Sequence, residues 1–251
     1  MTRVLAALTF VGVFCVSPIA SAQPHRSLCA DCHYANGGGP APRHLSEWES
    51  SAHARANVGC EACHGGKPDT VEFFLAHQAI VRGRGAASPL SAANLPRTCG
   101  RCHPDVYVEF KKSRHAALFG EGIYGGPTCS TCHSTVAGYL LSPKALESQC
   151  DACHGANKKT ARPEYAANAR LLLQGVREVG ELLNTAKPVI KRVKDSTVRT
   201  SLQNDYDQAT VPLMEAVAAA HAFVFTNSEE RLNVARARSE AFLQKLAGEK
   251  R

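Results

Sequence analysis

The pentapeptide Cys-x-x-Cys-His occurs five times between residues 29 and 154. The motifs contain ten of the 11 cysteines in the chain. Their cysteines are Cys29, Cys32, Cys60, Cys63, Cys99, Cys102, Cys129, Cys132, Cys150 and Cys153, and their histidines are His33, His64, His103, His133 and His154. Two thiols at this spacing can form thioether bonds with the two vinyl groups of one porphyrin, and the adjacent imidazole then ligates the iron. The motifs therefore predict five covalently bound haem c groups.

Zinc binding and a disulfide framework are the competing interpretations of these cysteines. Neither zinc binding nor disulfide bonding requires a histidine directly after the second cysteine of each pair, whereas haem attachment does. The five motifs occupy 126 residues, and aromatic residues make up only 6% of the chain. Such a short segment leaves little room for a conventional core, so we expect the porphyrins to supply much of the buried apolar surface.

The first 22 residues have the pattern of a secretory signal peptide. Arg3 precedes an apolar run from Val4 to Val16, and Ala20-Ser21-Ala22 forms a small-x-small cleavage site. The run is short for a transmembrane anchor, and no later stretch is apolar enough to span a bilayer. The sequence therefore predicts an exported, periplasmic protein without a membrane anchor. Its formal net charge of +7 is too small to indicate nucleic-acid binding.

A short string between the motifs repeats. Both Trp48-Glu-Ser-Ser-Ala-His53-Ala and Phe110-Lys-Lys-Ser-Arg-His115-Ala follow the pattern aromatic-x-x-Ser-x-His-Ala. We expect each copy to lie on a short helix, with Pro104 in the first helical turn near the second copy. Since six-coordinate haem iron takes a second axial ligand, His53 and His115 are predicted distal ligands. The alternative is a histidine that faces solvent.

Four other histidines lie outside the motifs, and at most five distal ligands are needed. His77 ends a segment from Val71 whose pattern predicts an amphipathic helix, and His44 lies in a loop, Gly/Pro-rich at residues 37–42, that could fold over a haem. We predict both as ligands. His25 is four residues before Cys29 and could only serve a neighbouring haem. For His221, which lies on an apolar stripe, a place in the core and a role as distal ligand are equally open.

The segment from Cys99-Gly-Arg-Cys-His103 to Ser113-Arg-His115-Ala resembles the multihaem cytochromes related to the tetrahaem electron carrier of ammonia oxidisers. That group is allied with hydroxylamine oxidoreductase and cytochrome c nitrite reductase. The resemblance covers roughly residues 29–154. It implies mostly bis-His haems, packed in stacked and perpendicular pairs within a mainly α chain with little regular sheet. The group contains both carriers and enzymes, so the resemblance leaves activity open.

The composition changes after residue 155, where cysteine is absent and Ala, Leu, Val, Lys and Arg dominate. We predict one helix from Pro163 to about Leu183, and a second from about Pro188 to Phe225 with a break near Ser196 or Pro212. A third begins at a capping box, Asn227-Ser-Glu-Glu230, and ends near Gly248. The expected organisation is a signal peptide at 1–22, a pentahaem domain at 23–160 and a C-terminal helical bundle at 161–251.

These features favour an electron carrier that passes electrons between redox partner proteins, such as a membrane quinol dehydrogenase or a terminal reductase. An enzyme acting on a small nitrogen or sulfur compound would need one haem with an open distal face. The catalytic haem of cytochrome c nitrite reductase commonly carries lysine in its motif, whereas all five motifs here end in histidine. A third possibility is a subunit of a larger assembly, with the C-terminal helices as an oligomer interface.

Overall fold

A computed structural model describes residues 27–37, 42–81, 85–121, 126–134, 136 and 141–248. Within these ranges the chain forms α-helices and no β-strand, which confirms the expected mainly α class. The predicted signal peptide at residues 1–22 and His25 lie outside the described residues.

Thirteen helices occur in the described residues, and ten of them lie in the half that carries the motifs. These ten have at most 12 residues each: α1 Leu28–Asn36, α2 Pro42–Glu49, α3 Ala52–Arg55, α4 Glu61–His64, α5 Phe73–Ala76, α6 Leu95–Gly100, α7 Pro104–Lys111, α8 Arg114–Gly120, α9 Cys129–His133 and α10 Pro143–His154. The last three are long: α11 Pro163–Arg192, α12 Ser196–Ala220 and α13 Phe225–Gly248.

The repeated string forms the same local structure twice, but each copy is divided between two helices. The aromatic residue, Trp48 or Phe110, is buried near the end of one helix. The serine then caps the next helix: the Ser51 hydroxyl accepts from the Ala54 N–H, and the Ser113 hydroxyl accepts from the Ala116 N–H. The expected single short helix is therefore wrong, because the serine starts a new helix before the histidine.

Pro104 begins α7, as the sequence predicts. Two other local predictions need correction. His44 lies on α2 rather than in the loop, because Leu45 and Trp48, three residues apart, form a buried helical face. The helix predicted before His77 is only the four-residue α5, which the Glu72 carboxylate caps.

The three long helices pack around one apolar core. Its most deeply buried members include Val179, Leu183, Leu202, Ala216 and Ala235. Two ion pairs connect the helices at the surface: Arg236 with Glu178 at 3.0 Å, and Lys245 with Asp205 at 2.6 Å. The core residues of the C-terminal helices thus pack on one another within the bundle, whereas Leu171, Met214 and Val234 remain exposed.

The ends of these helices differ from the predicted ones. Helix α11 continues through Pro188 to Arg192, because Ala186 and Ile190 extend its buried face and outweigh the lost backbone hydrogen bond. Its exposed Leu171 does not share that face. Helix α12 starts at Ser196, near one of the two expected breaks, and runs unbroken through Pro212.

Helix α13 begins at Phe225, two residues before the expected capping box. Asn227, the expected cap, lies inside the helix, where its Oδ1 accepts from the Arg231 side chain, so it does not cap. The buried Ser228 hydroxyl donates to the Val224 carbonyl. The helix ends at Gly248, as predicted.

The bundle packs against the half that carries the motifs, with α10 on α11 and α7 on α12. Between α10 and α11, Glu147 accepts from Arg170 at 3.3 Å. None of the helices in the described residues has the length and apolar character needed to cross a bilayer.

Candidate haem sites

Each of the five motif histidines faces one histidine from outside the motifs. The separations between ring centroids range only from 5.9 to 6.2 Å. We number the pairs by motif as sites I to V: His33 with His77, His64 with His44, His103 with His53, His133 with His221, and His154 with His115. The structure thus brings together all ten predicted metal-ligand residues, as five pairs.

The spacing matches what an iron ion between two imidazoles requires. Metal–nitrogen bonds of about 2.0–2.1 Å on each side separate the two ring centroids by roughly 6 Å. In site IV the two ring planes are nearly parallel, 7° apart, whereas in site I they are nearly perpendicular, 87° apart. The chain therefore holds pairs of imidazoles at axial-ligand distance in several relative orientations.

Hydrogen bonds orient several of these rings. The Nδ1 atom of His53 lies 3.1 Å from the Val136 carbonyl, that of His77 lies 2.7 Å from the Phe73 carbonyl, and that of His221 lies 2.8 Å from the Val217 carbonyl. A carbonyl only accepts, so Nδ1 carries the proton and the Nε2 lone pair is free to bind a metal. Among the motif histidines, His154 Nδ1 donates in the same way to the Thr160 carbonyl at 2.8 Å.

Burial favours the neutral form of the imidazole at several sites. It lowers the pKa of His64, His115, His133 and His221 below the ordinary value. The facing imidazole lowers the pKa of His64, His115 and His133 further. A neutral imidazole is the form that ligates iron, so this electrostatic environment favours metal binding over protonation.

Cysteines of consecutive motifs are neighbours in space. Burial raises the pKa of Cys63, and the adjacent thiol of Cys99 adds to the shift. A hydrogen bond between Cys99 and Cys129, together with burial, raises the pKa of Cys99. Burial and the nearby thiol of Cys132 raise the pKa of Cys150 to about 11.

The first two motifs are connected in the same way. The Ser27 hydroxyl, beside the first motif, lies 3.8 Å from the Cys60 Sγ. Burial raises the pKa of Cys60, and Cys29 contributes to that shift. Each motif therefore lies beside the next motif of the chain.

The surroundings of these sites fit a large apolar group. The one buried apolar cluster here contains only Ala30, Leu45, Trp48 and Ala54 among the described residues. Large apolar side chains lie exposed near His77: the Phe73 ring, 4.5 Å from the His77 ring, is 56% exposed, and the adjoining Phe74 is 80% exposed. Within the described residues, no three His, Cys, Asp or Glu side chains converge to hold a bare metal ion. A porphyrin at each site would cover apolar surface that the protein leaves open.

Sequence reasoning found the ligand candidates but not how they pair. His221 is the clearest case, because it lies 88 residues after His133 in the chain. The sequence could not predict that the carbonyls of Val136 and Val217 orient these histidines, since every residue type has a backbone carbonyl. The Ser-x-His spacing could have indicated the caps of α3 and α8, because serine is a preferred N-cap.

Two comparisons with known families cover all five motifs. The family of cytochrome c7 and related cytochrome c matches residues 86–155, which contain the last three motifs. The family of cytochrome c554 and c-prime matches residues 17–65, which contain the first two. No curated protein matches the chain. The matches support a multihaem c-type cytochrome that binds haem c covalently and transfers electrons.

Proposed function

We propose that this protein is a periplasmic pentahaem electron carrier in which every haem has two histidine ligands. The observation that carries the proposal is the set of five imidazole pairs at about 6 Å. When bound, the haems supply reversible one-electron chemistry at iron. The predicted signal peptide at 1–22 supports export, as do the matching families, whose domains are typically exported.

The residues have distinct tasks in this proposal. Each cysteine pair would attach one porphyrin, and the histidine of the same motif would ligate its iron. The second iron ligand at sites I to V would be His77, His44, His53, His221 and His115 respectively. The carbonyls that accept from Nδ1 of His53, His77, His221 and His154 fix the orientation of these rings and increase their basicity, which would tune the potential of the iron.

The order of the sites suggests a single route for electrons. Because consecutive motifs are neighbours, we expect sites I and V to be the two ends of the array and sites II to IV to connect them. Redox partner proteins, such as a membrane quinol dehydrogenase or a terminal reductase, would exchange electrons at these ends through small, transient contacts.

The pairing favours a carrier over an enzyme. A catalytic haem needs an open distal position, whereas each motif histidine here faces a second imidazole. Two measurements on the exported protein test the proposal. The intact mass should show five haems per mature chain, and the EPR spectrum of the oxidised protein should contain only low-spin ferric signals. Fewer than five haems would contradict the cofactor assignment. A high-spin signal that shifts with nitrite, hydroxylamine or sulfite would contradict the carrier assignment.

A further inference from the structure

The turn between α12 and α13 places an aromatic side chain against a ligand of a second site. His221, of site IV, follows the last residue of α12, and Phe223 lies two residues further on. Phe223 has a φ angle of 58°, in the left-handed region that bulky residues rarely adopt. Such a conformation persists only where the surrounding structure holds it in place.

The Phe223 ring contacts His115, the distal histidine of site V. The ring centroids lie 4.6 Å apart with the planes at 90°, an edge-to-face arrangement. The contact crosses from the C-terminal bundle to α8, about 108 residues earlier in the chain. One turn therefore supplies the distal histidine of site IV and a neighbour for the distal histidine of site V.

His115 differs from the distal histidines whose Nδ1 donates to a carbonyl. Its Nδ1 is buried, and the described residues offer it no conventional hydrogen-bond partner. A buried N–H without an acceptor is costly, and the face of an aromatic ring is a weak acceptor for it. With perpendicular planes, one of the two rings presents its edge to the face of the other, and we take the imidazole as the ring that presents its edge.

We propose that Phe223 is a positioning residue that orients the His115 imidazole, in place of the carbonyl that orients His53, His77 and His221. This inference rests on the proposed function, because it takes His115 as an axial ligand. A ring face accepts a hydrogen bond more weakly than a carbonyl, so His115 is a less basic ligand than the other three. The C-terminal bundle thereby sets the ligand field of site V as well as that of site IV.

The test compares variants of the full exported protein by EPR and by spectroscopic redox titration. Phe223→Leu keeps an apolar side chain but removes the ring face. We expect it to retain five haems, since the thioether cysteines are unchanged, while one low-spin signal moves in g value or becomes high-spin. The midpoint potential of that haem should shift as well. Phe223→Tyr keeps the ring and should give the wild-type spectrum.

Two further variants make the outcome specific. His115→Ala identifies the signal of site V, and the signal that Phe223→Leu alters must be the same one. Phe242→Leu removes a buried aromatic ring from the bundle core and should leave all five signals unchanged. An unchanged spectrum in Phe223→Leu, or a change confined to another haem, would overturn the inference. Fewer than five haems in the wild-type protein would instead overturn the proposed function.

Discussion

His133 and His221 face each other with their ring centroids 6.1 Å apart and their planes within 7° of parallel. The first histidine belongs to a haem-attachment motif, and the second directly follows the 25-residue helix α12 of the C-terminal bundle. The haem-binding half and the bundle are therefore joined at a single pair of imidazoles, in addition to the contacts between their helices.

Replacing His221 with alanine should convert one haem from low-spin to high-spin. The variant removes the imidazole opposite His133 but leaves the cysteines that attach the porphyrin, so five haems should remain. EPR and the visible spectrum of the oxidised protein report the change. His25→Ala is the matched control, because the five pairs use every other non-motif histidine. A wild-type spectrum for His221→Ala would remove this residue from the set of ligands.

Removing either serine cap should destabilise the helix that presents a distal histidine. Ser51 and Ser113 are almost fully buried, at 1% and 2% exposure. Loss of an N-cap hydrogen bond costs about 1 kcal/mol. Ser51→Ala and Ser113→Ala should therefore each lower the free energy of unfolding by roughly that amount, measured by urea denaturation. Ser50→Ala, at an exposed neighbouring position, should have little effect; equal losses in all three variants would contradict the capping role.

Truncating a core residue of the bundle should weaken site IV as well as the bundle. Leu183 is 2% exposed, and a buried Leu→Ala substitution costs about 2–5 kcal/mol. Because α12 carries His221, we expect the site IV signal to become high-spin at a lower urea concentration than the other signals. Leu171→Ala, at an exposed position on the same helix, is the control. Simultaneous loss of all five low-spin signals would show that the bundle and the haem half unfold as one unit.

The ion pair between α11 and α13 should make part of the stability depend on pH. Hydrogen bonds from Arg236 and Gln174 lower the pKa of Glu178 below its ordinary value of 4.5. The folded state thus holds the proton less tightly than the unfolded chain. The resulting stabilisation is present above pH 4.5 and is lost as the pH falls through the lower folded-state pKa.

Glu178→Gln should therefore melt at a lower temperature than the wild type near pH 6, and the difference should vanish in acid. Because this pair is partly exposed, high salt should also reduce the difference. Glu181→Gln removes a nearby carboxylate of the same helix that forms no ion pair in the described residues, and its melting temperature should follow the wild type. A gap between Glu178→Gln and the wild type that persists unchanged below pH 3 would exclude the ion pair as its cause.

The sequence was sufficient to predict the motifs, the helical class and the candidate distal histidines, because these depend on residue type and local spacing. The pairing could not be predicted in this way. His44 and His77 lie on either side of the second motif, yet His77 faces His33 of the first motif, and His44 faces His64 of the second. Which motif each histidine faces is decided by tertiary packing, and local sequence patterns carry no information about it.

The ends of several helices were also predicted wrongly from the sequence. Pro188 and Pro212 indicated boundaries, but both lie inside long helices whose buried faces continue past them. The gain from packing Ile190 exceeds the cost of one missing hydrogen bond. At the other extreme, α3, α4 and α5 have four residues each, too few for hydrophobic periodicity to reveal them.

Under the proposed function, the pairing also implies an order in which the two ligands of each site become available along the chain. Both histidines of sites I, II and III have been synthesised by residue 103, and those of site V by residue 154. Site IV has its first histidine at residue 133 but must wait for His221. In the proposed carrier, the haem of site IV would therefore be attached fourth but would receive its second ligand last, so the path between sites III and V would be completed only once His221 is available.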